Sequence, residues 1–260
     1  MSTSGTPLAW LATDAEEVRR SIATRHRIFC RGEAGSEALE DCSVSSPGDY
    51  HDDYDPRALH FGVDYNGQSI MTARLILGTR LAVMPTGRLL GRLEQPPAVN
   101  HHHRYSEPSR LGLSGDFQGT EVGRKALLSL VGLLTETSVL QGFDSYLLSL
   151  RGVLMRAFSW FPWTLAPPID YPASEGGPNT AEPMWLATLN LHELVVATRM
   201  FNSSAYQMMF DDRPAWFDPT LARSQSELRE LVRSNRIRVR RANEAWKTGQ
   251  LTLAKLAPIV

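Results

Sequence analysis

Charged side chains that can move a proton or pair with an ionic group are gathered in four short segments of this 260-residue sequence. A carboxylate can accept a proton from a nucleophile, and a guanidinium can pair with a carboxylate. Taken singly, each segment also has an ordinary structural explanation, such as a solvated turn or a surface arginine. The segments are Arg25-His26-Arg27-Ile28-Phe29, Asp52-Asp53-Tyr54-Asp55, Ala73-Arg74-Leu75 and Glu107-Pro108-Ser109-Arg110.

Two of the arginines lie among apolar residues, so the sequence predicts that they are buried. Arg25 lies on the apolar face of a helix predicted over residues 13–29, and Arg74 lies inside a strand predicted over residues 69–77. A buried guanidinium needs a carboxylate partner, because an unpaired buried charge is very costly. We therefore predict one partly buried charged cluster that joins the first helix to the sheet. Its members are Arg25, Asp52, Asp55, Arg74 and Arg110.

The elements that must position these residues follow from hydrophobic periodicity and turn residues. The pattern predicts a mixed α/β (α+β) fold with a mostly antiparallel sheet flanked by helices and one strand–helix–strand crossover. Asn66-Gly67 is a strong signal for a two-residue hairpin turn. Strands are predicted over residues 58–65, 69–77, 107–114, 143–150, 162–169 and 183–189. Helices are predicted over residues 13–29, 120–141, 152–160, 191–209 and 218–247, with 78–105 irregular.

The chain is predicted to divide into a main domain over residues 1–212 and a helical extension over residues 213–260. Key positions in the extension recur at alternating steps of four and three residues, which indicates a packing seam. The seam packs either against the body of the protein or against a second copy, so a homodimer through this helix is one of two alternatives. The seam residues are Leu228, Val232, Asn235, Val239, Ala242 and Trp246.

Composition argues against several other classes of protein. A net charge of −1 with 42% apolar residues predicts a folded chain with no general attraction to nucleic acid. No apolar run is long enough to cross a membrane, and the N-terminus lacks a signal-peptide pattern, so a cytoplasmic location is expected. Cys30 and Cys42 are too few for a disulfide scaffold. The adjacent residues His101-His102-His103 do not have the spacing of metal ligands, so no metal is expected.

As a set, the four segments resemble the acyl-homoserine-lactone (AHL) synthases and the related N-acyl amino acid synthases. Those families have an R-x-x-x-F on the first helix, a D-x-Y-D after the first loop, an arginine on the second strand and an E-x-S-R on the fourth. The resemblance implies the GNAT acyltransferase fold and an acyl-phosphopantetheine thioester as donor, commonly on an acyl carrier protein, with no tightly bound cofactor. The matching residues are Arg25, Phe29, Asp52, Tyr54, Asp55, Arg74, Glu107, Ser109 and Arg110.

Two departures shift the resemblance toward the N-acyl amino acid synthases. AHL synthases carry a tryptophan shortly after the phenylalanine, where this chain has Gly35. His60, just after the acidic motif, is similar to a histidine in the N-acyl amino acid synthases and exosortase-associated acyltransferases. The leading hypothesis is an N-acyltransferase that acylates the amine of an amino acid or similar small molecule. The alternatives are an AHL synthase using S-adenosylmethionine, an acyltransferase on a peptide or natural-product amine, and a non-catalytic module that binds a carrier protein.

The resemblance also suggests roles for individual residues. Glu107 is the candidate general base that takes the proton of the attacking amine, or else a structural partner of Arg25 or Arg74. Ser109 and Arg110 are the other two candidate catalytic residues, Ser109 as a hydrogen-bonding partner rather than a nucleophile. A backbone N–H beside a splayed strand would stabilise the tetrahedral intermediate. Alternation places Arg110 on the opposite face from Ser109, unless a bulge at Pro108 breaks it. The predicted substrate-binding residues are Arg25, Phe29, Asp52, Asp55, Arg74 and His60.

Two regions are candidates for holding the donor. A glycine-containing helix start at Gly119, Gly123 and Arg124 suits a phosphate of phosphopantetheine, although an ordinary loop and helix cap explains it equally well. The C-terminal extension is strongly basic, with nine basic and three acidic residues over positions 221–260. An acidic carrier protein could dock there or near Arg124 and Lys125, and the alternative is a solvated helix face.

Overall fold

The computed structural model describes residues 5–30, 52–78, 84–90, 103–166, 184–210 and 214–247. Within these residues the strands are β1 (Leu8–Leu11), β2 (Ala58–Tyr65), β3 (Gln68–Leu77), β4 (Tyr105–Leu113), β5 (Ser145–Arg151), β6 (Thr164–Leu165) and β7 (Met184–Asn190). The helices are α1 (Ala15–Cys30), α2 (Pro85–Leu90), α3 (Glu121–Leu140), α4 (Gly152–Ala157), α5 (Leu191–Phe201), α6 (Ser203–Phe210) and α7 (Gln225–Lys247).

The strands form one mixed sheet in the order β1-β2-β3-β4-β5-β7-β6. Pairing is antiparallel between β1 and β2, β2 and β3, β5 and β7, and β6 and β7. It is parallel between β4 and β5, which α3 connects in the chain. This confirms the predicted fold class and the predicted crossover. The parallel pairing covers two positions, Tyr105↔Ser145 and Ser106↔Tyr146.

The chain folds into two compact units that do not coincide with the predicted division at residue 212. The first takes the described parts of Met1–Leu77, Pro108–Gln141 and Gln207–Asp212, and the second takes those of Gly78–Glu107, Gly142–Tyr206 and Arg213–Val260. The described part of the C-terminal extension therefore belongs to the same unit as β5 and β7. Strand β4 passes from the second unit into the first after Glu107.

In the first unit, β2 and β3 form the predicted hairpin around a turn at Asn66 and Gly67. Both residues have positive φ, at 50° and 77°, as a type I′ turn requires. The register places His60 opposite Arg74 and Gly62 opposite Thr72. Both faces of the hairpin centre are buried, and α1 and α3 each contact both of its strands.

Helix α1 packs on this hairpin through its apolar face and through hydroxyl groups. Ile22 and Ile28 are buried, and the Ser21 hydroxyl lies 3.0 Å from both the Phe61 carbonyl oxygen and the Thr72 hydroxyl. Arg25 lies one turn after Ser21 on the same covered face and is buried as well. The helix therefore delivers a guanidinium into the interior of the unit, as the sequence predicts.

Strand β4 contains a break in its alternation at Arg110. Its φ is +53°, a left-handed backbone conformation that is uncommon for a residue other than glycine. The break predicted from Pro108 is thus present in this strand, two residues further on. It changes the direction of the side chains that follow Ser109.

In the second unit, α7 packs along the seam predicted from its sequence. Leu228, Val232 and Val239 are buried in the chain itself, and the Asn235 amide donates a hydrogen bond of 2.6 Å to the Trp163 carbonyl oxygen. The first of the two alternatives is confirmed for these positions: the seam packs against the body. A homodimer through α7 stays a prediction and would have to use another face of the helix.

Several elements differ from the sequence prediction. β1 and α2 were not expected, since the first is only four residues long and the second lies in a region predicted to be irregular. The helix predicted over residues 191–209 is two helices, interrupted at Asn202, whose φ and ψ are −153° and 75°. The last helix begins at Gln225, after a 3₁₀ turn at Pro219–Leu221. Among the described residues, no helix is long and apolar enough to span a membrane.

Candidate active site

Asp55 is the centre of a buried charged cluster in the first unit. Its two carboxylate oxygens accept hydrogen bonds from Nη1 and Nη2 of Arg25, at 2.7 and 2.6 Å. Arg74 Nη1 donates a further hydrogen bond to Oδ1 at 2.9 Å. The side chains of all three residues are only 3% exposed. The paired geometry is that expected of a guanidinium bound to a carboxylate in an interior site.

The acidic segment reaches this position by folding back on itself. The Asp52 carboxylate accepts from the Tyr54 N–H at 2.9 Å, and the Asp55 carboxylate accepts from the Asp52 N–H at 2.9 Å. A 3₁₀ turn over Asp55–Arg57, with a proline in its first turn, then leads into β2. Side chains that hydrogen-bond their own backbone are the reason Asp clusters form tight turns.

Arg74 links the acidic turn to β4. Its Nη1 contacts Asp52 as well as Asp55, and its Nε donates to the Ser109 hydroxyl at 2.9 Å. Arg110 Nη2 lies 3.6 Å from Asp52 Oδ2. The five-residue cluster predicted from the sequence is therefore present, and Ser109 is joined to it as a hydrogen-bonding partner. Because of the backbone break at Arg110, adjacent residues of one strand both reach the cluster.

The surroundings of Asp55 and Arg74 hold these two groups in their charged forms. Burial raises the pKa of Asp55, but the hydrogen bonds and charges of Arg25 and Arg74 and the Asp52 N–H outweigh it, so the pKa lies well below the usual range. Burial lowers the pKa of Arg74, yet Asp52 and Asp55 more than offset that and raise it. Asp55 and Arg74 are therefore fixed ions and not sources of protons.

His60, predicted to contact substrate, is buried in β2 beside this cluster. Its Nε2 lies 3.3 Å from the Asp55 carbonyl oxygen, which can only accept, so Nε2 carries the proton. Burial lowers the pKa of the imidazole, and the Asp55 carbonyl and carboxylate act in the opposite direction without offsetting it. His60 is therefore a neutral donor that supports the turn.

We expect His60 to stay neutral at pH 7 and to titrate below its usual pKa of about 6.5. The unfolded chain would take up this proton near pH 6.5 while the folded chain would not, so the free energy of unfolding should fall as the pH drops below about 6.5. NMR titration of the imidazole, assigned with His60→Gln, measures the pKa. A value at or above 6.5 would contradict the burial argument.

Glu107, the candidate base, lies in the second unit, where its side chain is buried. Its carboxylate accepts hydrogen bonds from the Thr86 N–H at 3.1 and 3.0 Å and from the Thr86 hydroxyl at 2.7 Å. Thr86 lies in the first turn of α2, a short helix the sequence analysis missed. The arrangement fixes the orientation of the carboxylate, and the catalytic role of Glu107 stays a prediction.

Phe29 lies near the end of α1, half buried against β4. A Cβ placed on Gly112 would come within 2.7 Å of the Phe29 ring, so the absence of a side chain at Gly112 permits this close approach of helix and strand. This contact gives a structural reason for the R-x-x-x-F spacing. Arg25 enters the charged cluster, and Phe29, one turn later, packs against β4 at Gly112.

The predicted phosphate-binding segment forms a capped helix start. The Thr120 hydroxyl accepts from the Gly123 N–H at 3.0 Å, and Gly119 has a φ of +73°. Arg124 pairs with Glu121 through hydrogen bonds of 2.9 and 2.8 Å. One amide that could contact a phosphate is thus already engaged by the cap, and binding of a phosphate at Gly119, Gly123 and Arg124 stays a prediction.

A cavity of about 450 Å³ lies in the second unit and contains none of the predicted site residues. His103 lies on its wall and contacts Asp144, with Nδ1 2.8 Å from Oδ1. Glu193 and Arg223 form an ion pair on another wall, at 2.6 Å. Among the described residues, no group of three or more His, Cys, Asp and Glu side chains is arranged to hold a metal ion.

No family model matches the chain, and no curated protein matches its sequence. Its structure is similar to that of FeeM, an N-acyl amino acid synthase from uncultured soil microbes, with a TM-score of 0.54, 13% identity, and coverage of 77% of this chain and 100% of FeeM. The AHL synthase LasI gives a TM-score of 0.54 at 12% identity over 82% of this chain and 98% of LasI. The CoA-dependent acyl-homoserine lactone synthase BjaI gives 0.51 at 16% identity, over 76% and 89% of the two chains.

At sequence identities this low, structural similarity shows a shared fold and nothing more. The seven-stranded mixed sheet flanked by helices is a GNAT-like α/β acyltransferase fold. The solved structures that share it include an N-acyl amino acid synthase and AHL synthases, the two families that the four sequence segments resemble. The fold expected from that resemblance is confirmed.

Proposed function

We propose that the chain is an N-acyltransferase that transfers a fatty acyl group from a thioester to the amine of an amino acid or a related small molecule. The observation that carries the proposal is the buried cluster of Arg25, Asp55 and Arg74, built from the segments that resemble the synthase motifs. FeeM and LasI, whose names give them synthase activities, share the fold that holds it.

The more exposed edge of the cluster is the part suited to bind the acceptor. The side chains of Asp52 and Arg110 are 30% and 25% exposed, and they lie 3.6 Å apart. An amino acid carries an ammonium and a carboxylate, which complement these two groups. The buried members, Arg25, Asp55 and Arg74, act as positioning residues that hold this edge in place. The alternative is that the whole cluster is a structural clamp.

In the proposed reaction the bound ammonium first releases one proton to solvent. The nitrogen of the resulting neutral amine attacks the thioester carbonyl carbon, and the new C–N bond replaces the C–S bond. Glu107 accepts the proton that the amine loses and returns it to the thiol that leaves. Its hydrogen bonds from Thr86 keep the carboxylate in one orientation, which limits the reorganisation required during transfer.

The identity of the product separates this proposal from AHL synthesis. Mass spectrometry of lipid extracts from cells that express the chain should show a linear N-acyl amino acid, in much smaller amount in cells expressing Glu107→Gln. An acyl lactone would support the AHL synthase alternative instead. If the extracts contained no new acylated amine of either kind, the N-acyltransferase proposal would be wrong.

We further propose that the donor is an acyl carrier protein, which would place the reaction in the cytoplasm. BjaI is CoA-dependent by its name, so coenzyme A is the alternative donor within this fold. The distribution of arginines on α7 favours a protein donor.

A further inference from the structure

Helix α7 carries a stripe of arginines on one flank. Arg229, Arg233, Arg236 and Arg240 are separated by four, three and four residues, which places them on the same side of the helix. All four are exposed. At a rise of 1.5 Å per residue the stripe is about 16 Å long, and we call these four residues the arginine stripe.

The helix that presents the stripe is fixed to the second unit. Its adjacent side is buried through Leu228, Val232 and Val239. Arg236 donates from Nε to the Ser159 carbonyl oxygen at 3.0 Å, and its guanidinium lies 5.9 Å from the centre of the Phe201 ring. The buried side of α7 and the contacts of Arg236 hold the stripe in position. A surface that is already ordered loses less conformational entropy when a partner binds.

Acidic residues neutralise the stripe only in part. Arg240 pairs with Glu244 at 2.8 Å, whereas the Glu227 carboxylate accepts hydrogen bonds from Ser224 at the start of the helix. Arg229 and Arg233 form no ion pair within the part of the chain that the structure describes. Positive charge therefore remains along the first half of the stripe, although the chain as a whole has a net charge of −1.

We propose that the arginine stripe is the docking surface for an acidic helix of the acyl carrier protein that delivers the acyl thioester. The proposal rests on the proposed function and adds the location of the partner. Opposite charge on two rigid helices speeds encounter and fixes orientation. A membrane is less suited to this helix because Leu228, Val232 and Val239 on its apolar side are buried in the protein, and among the α7 side chains whose burial the structure describes Ile237, at 44%, is the large exposed apolar one.

The test compares Arg229→Glu/Arg233→Glu with Arg241→Glu, a charge reversal on another side of the same helix. We expect the double variant to raise the Michaelis constant for acyl carrier protein about tenfold or more at low salt, with a smaller ratio at high salt. The Michaelis constant for acyl-coenzyme A should not change. Arg241→Glu should leave both constants near their wild-type values. Thermal unfolding of each variant checks that the fold is retained.

Binding measured without catalysis separates this inference from the proposed function. Fluorescence anisotropy of labelled acyl carrier protein should show weaker binding to the double variant even if no acyl transfer is detected. Equal binding by the wild type and the double variant would overturn the docking surface, while transfer from coenzyme A would leave the proposed function standing. Preferential loss of binding to phosphatidylglycerol vesicles or duplex DNA, with carrier binding unchanged, would also overturn it.

A second double variant, Arg124→Glu/Lys125→Glu, tests the other basic site. If it weakened carrier-protein binding as much as Arg229→Glu/Arg233→Glu does, the stripe would not be the docking surface. Arg124 and Lys125 lie in the first unit, at the start of α3, and both interact with Glu121. Since their charge is partly neutralised there, we expect reversal at these positions to change carrier binding less than reversal at Arg229 and Arg233.

Discussion

Replacing Glu107 with glutamine is expected to slow acyl transfer by about 10²–10⁴-fold, the range typical of a general base. Glutamine keeps a carbonyl oxygen that can accept from the Thr86 N–H and hydroxyl, so the fold should be retained. Single-turnover kinetics with a saturating thioester would measure the chemical step. The loss should appear in the maximal rate more than in the Michaelis constant for the amine.

The two roles of Glu107 have different signatures. If Glu107 serves only to tie α2 to β4, Glu107→Gln should lower thermal stability and leave turnover near the wild-type value. Glu136→Gln makes the same chemical change at an exposed position on α3 and should affect neither quantity. Near-wild-type turnover in Glu107→Gln would remove this residue from the mechanism.

Replacing Asp55 with alanine is expected to destabilise the protein by about 3–5 kcal/mol, because it leaves buried cations without their central counter-ion. Arg25 would lose both of its hydrogen bonds to the carboxylate, and Arg74 would keep its contacts with Asp52 and Ser109. Urea denaturation followed by circular dichroism would measure the change in the free energy of unfolding.

The exposed neighbour Asp53 supplies a matched control for this substitution. Asp53→Ala removes a carboxylate from the same turn and should change the free energy of unfolding by less than about 0.5 kcal/mol. The lowered pKa of Asp55 means that its contribution is fully present above the usual carboxyl range and is lost only when the pH falls far below it. Equal effects of the two substitutions would contradict the central position of Asp55.

The burial of Arg25 and Arg74 was predictable from the residues around each of them. Arg25 and Arg74 each interrupt an apolar face, and the nearest acidic turn supplies the carboxylates. The hairpin was predictable for a similar reason, since Asn66-Gly67 adopts the positive φ angles that the turn requires. For the hairpin a few adjacent residues carry enough information to determine the structure around them. The pairing of Arg25 with Asp55 spans 30 positions and was predictable because an unpaired buried charge is very costly.

The parts that were missed depend on distant residues. Thr86 contacts Glu107 across 21 positions of sequence, and no pattern around Thr86 indicates a helix long enough to predict. The interruption at Asn202 is hidden because the apolar pattern continues through it. The start of α7 predicted at Asp218-Pro219 is too early, because the helix begins at Gln225, after Ser224, whose hydroxyl and N–H donate to the Glu227 carboxylate.

The ion pair between Glu193 and Arg223 has a consequence for any attempt to shorten this protein. Glu193 is 7% exposed and receives two hydrogen bonds of 2.6 Å from Arg223, a residue that lies beyond the predicted boundary at 212. Truncating the chain at that boundary would remove the partner of a buried carboxylate. It would also expose to solvent the surface that Leu228 and Val232 cover. We therefore expect truncation at residue 212 to lower the stability of the second unit, because the segment removed contains Arg223, Leu228 and Val232.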